Sequence, residues 1–305
     1  MKTIPLGKTG LQAPAVAVGC MRMSSLEPAQ AEAFVQTALE LGMRFFDHAD
    51  IYGGGRCEEI FAKALGNTPR EHVILQSKCG IRKGQYDFSK AHILASVEGI
   101  LQRLNTDYLD LLLLHRPDAL MEPEEVATAF DALHAGGKVR HFGVSNFNAM
   151  QMQLLQAYVA QPLAVNQLQF GLGHAYMLAQ GTNVNMFNEA SPQRDGSVLD
   201  FCRLHGVTIQ PWSPFQFRFD QGRGTFMGSG EFAPLNEKLE ELAGKYETDA
   251  TALALAWILR HPAKMQPIVG TMNVKRLHSC AKAAEIALSR EDWYALYLAA
   301  GNTLP

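Results

Sequence analysis

The chain has 305 residues, and its 27 Lys and Arg residues stand against 30 Asp and Glu residues, which gives a formal net charge of -3. Because a protein that binds a phosphate backbone needs an excess of cationic side chains, this balance argues against nucleic acid as a partner. Apolar residues make up 47% of the chain and charged residues 19%, which excludes a disordered, collagen-like or coiled-coil chain and predicts a large core.

The N-terminal stretch MKTIPLGKTG carries Pro and Gly where a secretion signal would need apolar residues, and no run of about 18 apolar residues occurs in the sequence. The five cysteines are an odd number, are widely spaced and form no C-x-x-C pair. We therefore expect a protein of the reducing cytoplasm, with no membrane partner and no bound metal.

Short apolar runs recur along the chain and predict eight β-strands. They cover residues 15–18, 44–46, 73–77, 109–114, 139–144, 163–167, 207–212 and 266–269. Before the first strand, residues 1–11 contain Gly7 and Gly10 and predict a hairpin that closes the bottom of the domain.

Amphipathic patterns between these strands predict helices. Residues 28–41 begin with Pro28 and are followed by Gly42, and Ser89 is placed to cap a helix whose apolar stripe ends at Leu104. The other predicted helices cover residues 123–134, 148–159, 197–205, 248–260 and 273–285, and residues 289–300 predict a final helix against the domain.

This alternation predicts an α/β fold of the (β/α)8 TIM-barrel type, with an N-terminal β-hairpin and an extra C-terminal helix. A doubly wound sheet is the alternative, but Gly19-Cys20-Met21-Arg22 stands where that fold would carry G-x-G-x-x-G. No linker interrupts the repeat, so we expect a single domain over residues 1–305. The long connections 170–196 and 215–234 follow strands six and seven, and glycines in the second predict a mobile loop.

Enzymes with this fold work at the carboxyl ends of the strands, and reactive side chains stand there in this sequence. Asp47 and Tyr52 follow strand two, Lys78 follows strand three and His115 follows strand four. Because burying an unpaired ion is costly, we expect Asp47 and Lys78 to pair. The lysine ammonium would bring the pKa of Tyr52 toward working pH, which makes Tyr52 a candidate proton donor. A neutral His115 could orient a substrate oxygen.

Each of these residues also has a purely structural interpretation, as an ion pair, a packing aromatic or a core histidine. Their joint placement at one barrel face favours catalysis. The remaining strands end in polar or aromatic residues at the same face, namely Ser145, Asn146, Gln167, Trp212, Ser213, Gly270 and Thr271.

The stretches around these residues resemble the aldo-keto reductases over nearly the whole chain. They are FDHADIYG at 46–53, Ser77-Lys78, LHRPD at 114–118, GKVRHFGVSNF at 137–147 and IVGT at 268–271. The chain is most similar to bacterial oxidoreductases of the general-stress and potassium-channel-β-like branch. The resemblance implies NADPH-dependent reduction of a small carbonyl substrate, with Tyr52 as general acid, Lys78 lowering its pKa, Asp47 holding Lys78 and His115 orienting the carbonyl.

The resemblance also implies where the cofactor binds. It places the nicotinamide carboxamide on Ser145, Asn146 and Gln167, with Trp212 stacked on the ring where a tyrosine is more usual. The implied cofactor-binding residues are Gly19, Met21, Ser145, Asn146, Gln167, Trp212, Ser213, Pro214, Phe215, Gly270, Thr271, Asn273 and Arg276. Backbone N–H groups at a helix start and the Arg276 guanidinium suit a phosphate, which favours NADPH over NADH. We expect a monomer or a small homo-oligomer.

Three other functions remain open at this point. A cofactor-binding regulatory subunit would keep the same residues and act through partners. A Schiff-base lyase would use Lys78 as its nucleophile, although the neighbouring tyrosine and histidine argue against it. A metal hydrolase would need His48, Asp50 and His115 as ligands, and known metal sites usually have tighter ligand sets.

Overall fold

The computed structural model describes residues 1–182, 198–217 and 224–302. The strands in chain order are β1 (Thr3–Pro5), β2 (Gln12–Pro14), β3 (Ala17–Gly19), β4 (Phe45–Asp47), β5 (Ile74–Cys79), β6 (Ile81–Arg82), β7 (Gln85–Tyr86), β8 (Leu109–Leu114), β9 (Val139–Ser145), β10 (Leu163–Gln169), β11 (Thr208–Trp212), β12 (Gln216–Phe217), β13 (Gly224–Thr225) and β14 (Ile268–Val269). Eight of them, β3, β4, β5, β8, β9, β10, β11 and β14, pair in parallel in this order to close a barrel. The predicted fold class is confirmed.

The helices surround this barrel. They are α1 (Pro28–Glu40), α2 (Arg56–Leu65), α3 (Lys90–Leu104), α4 (Pro123–Ala135), α5 (Ala149–Gln156), α6 (Tyr176–Thr182), α7 (Val198–His205), α8 (Ala233–Lys245), α9 (Ala250–Leu259), α10 (Val274–Lys282) and α11 (Arg290–Ala299). Ser89 caps α3 as predicted, because its side chain accepts a hydrogen bond from the backbone N–H of His92. The helix predicted over 273–285 ends at Lys282 and continues as one 3₁₀ turn.

Helices α2, α6 and α8 were not predicted from the sequence. Helix α2 buries a glutamate, Glu58, on its inner face, which interrupts the apolar stripe that identifies a helix. Helix α8 begins inside the predicted connection 215–234, although Leu235, Leu239 and Leu242 have helical spacing. In the rest of that connection the structure describes residues 215–217 and 224–232, where β12 and β13 form an antiparallel pair. Residues 183–197 and 218–223, including Gly222, lie outside the described residues.

The N-terminal hairpin closes the amino-terminal end of the barrel. Its strands β1 and β2 pair Thr3 with Pro14, so the hairpin extends to residue 14 and not to residue 11 as predicted. Gly7 lies so close to β10 that a Cβ there would meet the Ala164 carbonyl oxygen at 2.4 Å, and its φ is +52°. Its N–H donates to Thr208 Oγ1 at 2.6 Å, which fastens the turn to the start of β11. Glycine is therefore required at this position.

The extra C-terminal helix α11 is confirmed, and it packs against α8 and α9. The indole rings of Trp257 and Trp293 stack at 4.9 Å between centroids. Each indole N–H donates to the backbone carbonyl of the other tryptophan, at 3.1 Å and 2.9 Å. Both polar ends of this apolar pair are thus satisfied, which fixes α11 against the barrel wall.

Candidate active site

Asp47 is the last residue of β4, Lys78 is the last but one of the adjacent β5, and the two form the predicted ion pair. Lys78 Nζ lies 2.8 Å from Asp47 Oδ2, and both side chains are buried. Lys78 Nζ also donates to the His48 carbonyl oxygen at 2.6 Å and to Tyr52 Oη at 3.1 Å. Burial opposes the charge on Lys78, but the Asp47 carboxylate and the Tyr52 hydroxyl outweigh it, so the pKa of Lys78 lies above its ordinary value.

Tyr52 reaches Lys78 because the chain turns sharply after it. Gly53, Gly54 and Gly55 have φ values of +58°, +66° and +93°, a backbone conformation that side chains disfavour. A Cβ on Gly55 would also come within 2.7 Å of the Arg103 side chain. The three glycines therefore allow the chain to reverse into α2 directly behind the tyrosine.

The pKa of Tyr52 differs from the expectation. Burial raises the pKa of Tyr52 above its ordinary value, and the nearby Lys78 ammonium lowers it by less than burial raises it. The predicted influence of Lys78 is present, yet the net direction is the opposite of the one predicted. The Tyr52 hydroxyl is consequently protonated at neutral pH, which is the form that a proton donor must have.

His115 follows β8 and lies with its ring edge toward Tyr52, at 6.0 Å between ring centroids. Burial, together with the positive charges of Lys78 and Arg116, holds the pKa of His115 well below its ordinary value. The imidazole is therefore neutral at pH 7, as predicted, and one of its nitrogens carries a hydrogen that a carbonyl oxygen could accept.

The ends of β9 and β11 meet on the same face of the barrel. Asn146 has a φ of +63°, and its amide Nδ2 donates to Ser145 Oγ at 2.7 Å. Its Oδ1 accepts from Trp212 Nε1 at 3.2 Å, which fixes the indole ring. The Arg116 guanidinium carbon lies 5.7 Å from the centroid of that ring. Three of the residues predicted to hold nicotinamide are thus brought together.

Gln167 points into the barrel toward the ion pair. Its Nε2 donates to Asp47 Oδ1 at 3.1 Å, while its backbone carbonyl accepts from Ser145 Oγ at 3.1 Å. Three further glutamines join it there, and none of them was predicted from the sequence: Gln76, Gln210 and Gln266. The feature that could have identified them in the sequence is a glutamine within an apolar strand, or directly beside one.

The end of β3 and the turns after β3 and β11 carry further residues that were predicted to bind the cofactor. A Cβ on Gly19 would meet Ile268 Cγ2 at 2.9 Å, so this glycine allows β3 and β14 to approach. Met21 is exposed in the turn that follows. In the turn 213–215, Ser213 has a φ of +48°, and the Phe215 carbonyl accepts from the Phe226 N–H at 3.1 Å.

The end of β14 and the start of α10 form an open surface. A Cβ on Gly270 would meet nothing within 4 Å. The N–H of Asn273 donates to Thr271 Oγ1 at 3.1 Å, and Asn273 Oδ1 accepts from the N–H of Arg276 at 3.2 Å. The Arg276 side chain is exposed and pairs with no carboxylate among the described residues. Within the part of the chain that the structure describes, the start of α10 therefore carries an exposed cation without an acidic partner.

A second charged cluster, also missed from the sequence, lies behind the ion pair. Glu58 is buried and accepts hydrogen bonds from Ser77 Oγ at 2.8 Å and from Arg103 Nε at 2.7 Å. Burial and the neighbouring Glu58 raise the pKa of Asp50 to about 6. Asp50 Oδ1 is buried without a hydrogen-bond partner among the described residues.

Within residues 1–182, 198–217 and 224–302 there is no group of three or more His, Cys, Asp or Glu residues that could hold a metal ion. No helix in those ranges is both long and apolar enough to span a membrane. All five cysteines are buried free thiols.

The barrel agrees with comparisons to known proteins. Residues 15–297 match the sequence profile of the Aldo/keto reductase family, and the chain belongs to that family. It is 37% identical to the oxidoreductase YcsN of Bacillus subtilis, with 95% of each chain covered. It is 36% identical to a 6-dehydroglucose reductase of Agrobacterium fabrum, with 88% of this chain and 87% of the relative covered.

The oxidoreductase YdhF of Escherichia coli is also 36% identical, with 89% of this chain and 87% of the relative covered. Among solved structures, the thermostable aldo-keto reductase Tm1743 in complex with the inhibitor epalrestat is similar, with a TM-score of 0.79 and 28% identity. That match covers 98% of this chain and 100% of the other. The protein is therefore an oxidoreductase of the aldo-keto reductase family, whose members typically use NAD(P)H.

Proposed function

We propose that this protein reduces a small aldehyde or ketone to an alcohol with NADPH, using Asp47, Tyr52, Lys78 and His115. The observation that carries the proposal is the contact of Lys78 Nζ with both Asp47 Oδ2 and Tyr52 Oη, beside a neutral His115. Relatives named as reductases, including the 6-dehydroglucose reductase of Agrobacterium fabrum, support the direction of the reaction.

NADPH, when bound, supplies the hydride. Tyr52 gives its proton to the carbonyl oxygen as that oxygen gains negative charge, because its hydroxyl is protonated at neutral pH. The Lys78 ammonium, 3.1 Å away, stabilises the phenolate that remains, and Asp47 holds Lys78 in position. The neutral His115 donates a hydrogen bond that orients the carbonyl.

The residues at the strand ends fit a nicotinamide cofactor. Ser145 and Asn146 offer a hydroxyl and an amide for the carboxamide, and the hydrogen bond from Trp212 Nε1 to Asn146 holds the indole ring for stacking. Gln167 belongs to this set by resemblance, although its amide Nε2 donates to Asp47 Oδ1 and to Gln210 Oε1 inside the barrel. Residues 19, 21 and 213–215 complete the nicotinamide end of the site in this proposal.

The distal phosphate belongs at the start of α10. Gly270 leaves open space there, residues 271 and 273 shape the turn, and the exposed guanidinium of Arg276 suits a ribose phosphate. These features favour NADPH over NADH. A single domain over residues 1–305, acting in the cytoplasm as a monomer or a small homo-oligomer, completes the proposal.

A Schiff-base lyase is disfavoured by the surroundings of Lys78. A nucleophilic lysine must be neutral, whereas the pKa of Lys78 is raised and its Nζ donates to three oxygen atoms. A regulatory subunit with little turnover would share this geometry, so a turnover assay separates it from an enzyme.

The test is NADPH consumption by the purified protein with a panel of aldehydes, quinones and keto acids. We expect turnover that Tyr52→Phe lowers by about 10² to 10⁴-fold, because the proton donor is lost. NADPH binding, measured by fluorescence titration, should be unchanged in that variant. Tyr86→Phe, at an exposed tyrosine, is the matched control and should behave as wild type. Near-normal turnover by Tyr52→Phe would remove Tyr52 from the mechanism.

A further inference from the structure

A chain of glutamine amides crosses the barrel interior from the N-terminal hairpin to the ion pair. Gln266 Nε2 donates to the Pro14 carbonyl oxygen at 2.7 Å, and Gln210 Nε2 donates to Gln266 Oε1 at 2.8 Å. Gln76 Nε2 then donates both to Gln210 Oε1 at 2.8 Å and to Asp47 Oδ1 at 2.7 Å. The three glutamines are fully buried.

The direction of this chain is fixed at its far end. A backbone carbonyl oxygen can only accept, so Gln266 must turn its amide nitrogen toward Pro14. Its oxygen is then left for Gln210, whose own oxygen is left for Gln76. Each amide is oriented by the one before it, and the last must present an N–H to Asp47.

The Gln76 amide is oriented so that its N–H groups are hydrogen-bonded and its oxygen is not. Both of its N–H groups are used, while Gln76 Oε1 is buried without a hydrogen-bond partner among the described residues. Reversing the amide would place that oxygen against Asp47 Oδ1 and Gln210 Oε1, two further acceptors. An unsatisfied buried acceptor is therefore tolerated so that two N–H donors face the correct atoms.

The carboxylate of Asp47 is held on both of its oxygens as a result. Oδ1 accepts from Gln76 and Gln167, and Oδ2 accepts from Lys78 Nζ at 2.8 Å. The amides thereby keep the carboxylate from rotating away from Lys78, whose ammonium contacts Tyr52. The glutamine chain thus ends on the ion pair that supports the proton donor.

We propose that Gln76, Gln210 and Gln266 are positioning residues for carbonyl reduction, which fix Asp47 for Lys78 and through Lys78 prepare Tyr52. This inference rests on the function proposed above and adds three residues that act without contact to substrate or cofactor. The titratable groups that face the three glutamines are Asp47 and Lys78, with Tyr52 and Cys20 beyond them.

Two substitutions of Gln210 test the inference, and Gln210→Met is the first. Methionine keeps the side-chain length but removes the donor to Gln266 and the acceptor for Gln76 and Gln167. We expect kcat to fall about tenfold at all pH values, the cost of losing one hydrogen bond that supports a charged group. KM and the NADPH dissociation constant should change less than kcat, because Gln167, the proposed binding residue that Gln210 contacts, keeps its hydrogen bond to Asp47 Oδ1.

Gln210→Glu is the second and more decisive substitution. A protonated Glu reproduces the native pattern, because its O–H donates to Gln266 Oε1 while its carbonyl oxygen accepts from Gln76 and Gln167. The ionised form has no hydrogen to donate and opposes Gln266 Oε1. Burial and the nearby Asp47 should hold the pKa of this Glu above its ordinary value. We expect near wild-type kcat at pH 5 that falls toward the Gln210→Met level by about pH 8, with a pH limb that wild type lacks.

Gln85→Glu and Gln85→Met are matched controls, since Gln85 is exposed on β7, and both should follow the wild-type pH profile. Thermal unfolding of each variant at each pH identifies loss of the fold. If Gln210→Met does not fold, the pH profile of Gln210→Glu still decides the question. Wild-type kcat in a folded Gln210→Met protein would overturn the positioning role, and so would wild-type kcat and profile shape in Gln210→Glu from pH 5 to pH 9. Absence of carbonyl reduction in the wild-type protein would instead overturn the proposed function.

Discussion

Replacing Asp50 with Asn should stabilise the protein in a way that depends on pH. In the folded protein the pKa of Asp50 is about 6, raised by burial and by Glu58, against an ordinary value of 3.8. Between these values the folded state binds more protons than the unfolded state, so the free energy of unfolding falls as pH rises from about 4 to about 6. Above pH 6 the full penalty of the buried charge is present.

The size of the effect follows from the two pKa values. A difference of about two pKa units corresponds to about 3 kcal/mol when the group is fully ionised in both states. Asp50→Asn removes the titration, so we expect it to raise the free energy of unfolding by about 3 kcal/mol at pH 7.5 and by only about 1 kcal/mol at pH 4.5. Urea denaturation of both proteins at the two pH values measures the difference.

Asp87→Asn is a control of opposite sign. The pKa of Asp87 is lowered to about 2, because hydrogen bonds from Ser89 and Arg82 outweigh its burial. Its charge therefore stabilises the folded protein above about pH 4, and Asp87→Asn should cost about 1 kcal/mol at pH 7.5, since solvent screens the half-exposed Arg82. Equal stability changes at both pH values for Asp50→Asn, or a loss at pH 7.5, would refute the reasoning.

Other substitutions test other parts of the molecule. Lys78→Met should lower turnover at least about a hundredfold and lower the free energy of unfolding by about 3 kcal/mol, because Asp47 is left as a buried charge without its cation. Unchanged activity and an unchanged free energy of unfolding would contradict the ion-pair argument. Arg276→Ala should lower the preference for NADPH over NADH about ten- to hundredfold in a binding titration, with the double variant at Lys275 and Arg276 measured beside it. If both variants keep the wild-type ratio of the two dissociation constants, α10 does not bind the phosphate. Burial lowers the pKa of His48 to about 3, so at pH 4 this histidine binds a proton in the unfolded chain but not in the folded protein, which lowers the free energy of unfolding by about 3 kcal/mol. His48→Leu should remove this loss of stability at pH 4, and denaturation curves with the wild-type pH dependence would contradict the prediction.

The sequence by itself determined the barrel and the end of it at which Asp47, Lys78 and His115 lie. Strand β8 is recognisable as a short apolar run and helix α3 by its amphipathic spacing, because each of these signals lies within one short stretch of the sequence. Once eight parallel strands are counted, topology alone places all their carboxyl ends at one rim, and so brings Asp47 and Lys78 together. The pairing of these two residues could therefore be predicted without coordinates.

Only the tertiary structure revealed the glutamine chain and the second charged cluster. Gln266 and Pro14 are 252 positions apart in sequence, and Gln76 and Gln210 are 134 apart, so no local pattern marks their contacts. The direction of the Tyr52 pKa shift also could not be predicted from the sequence. A neighbouring cation was foreseen there, but the amount of water excluded around the hydroxyl was not, and that desolvation outweighs the charge. Burial is a sum over residues from many elements, so it becomes defined only when the whole barrel has closed.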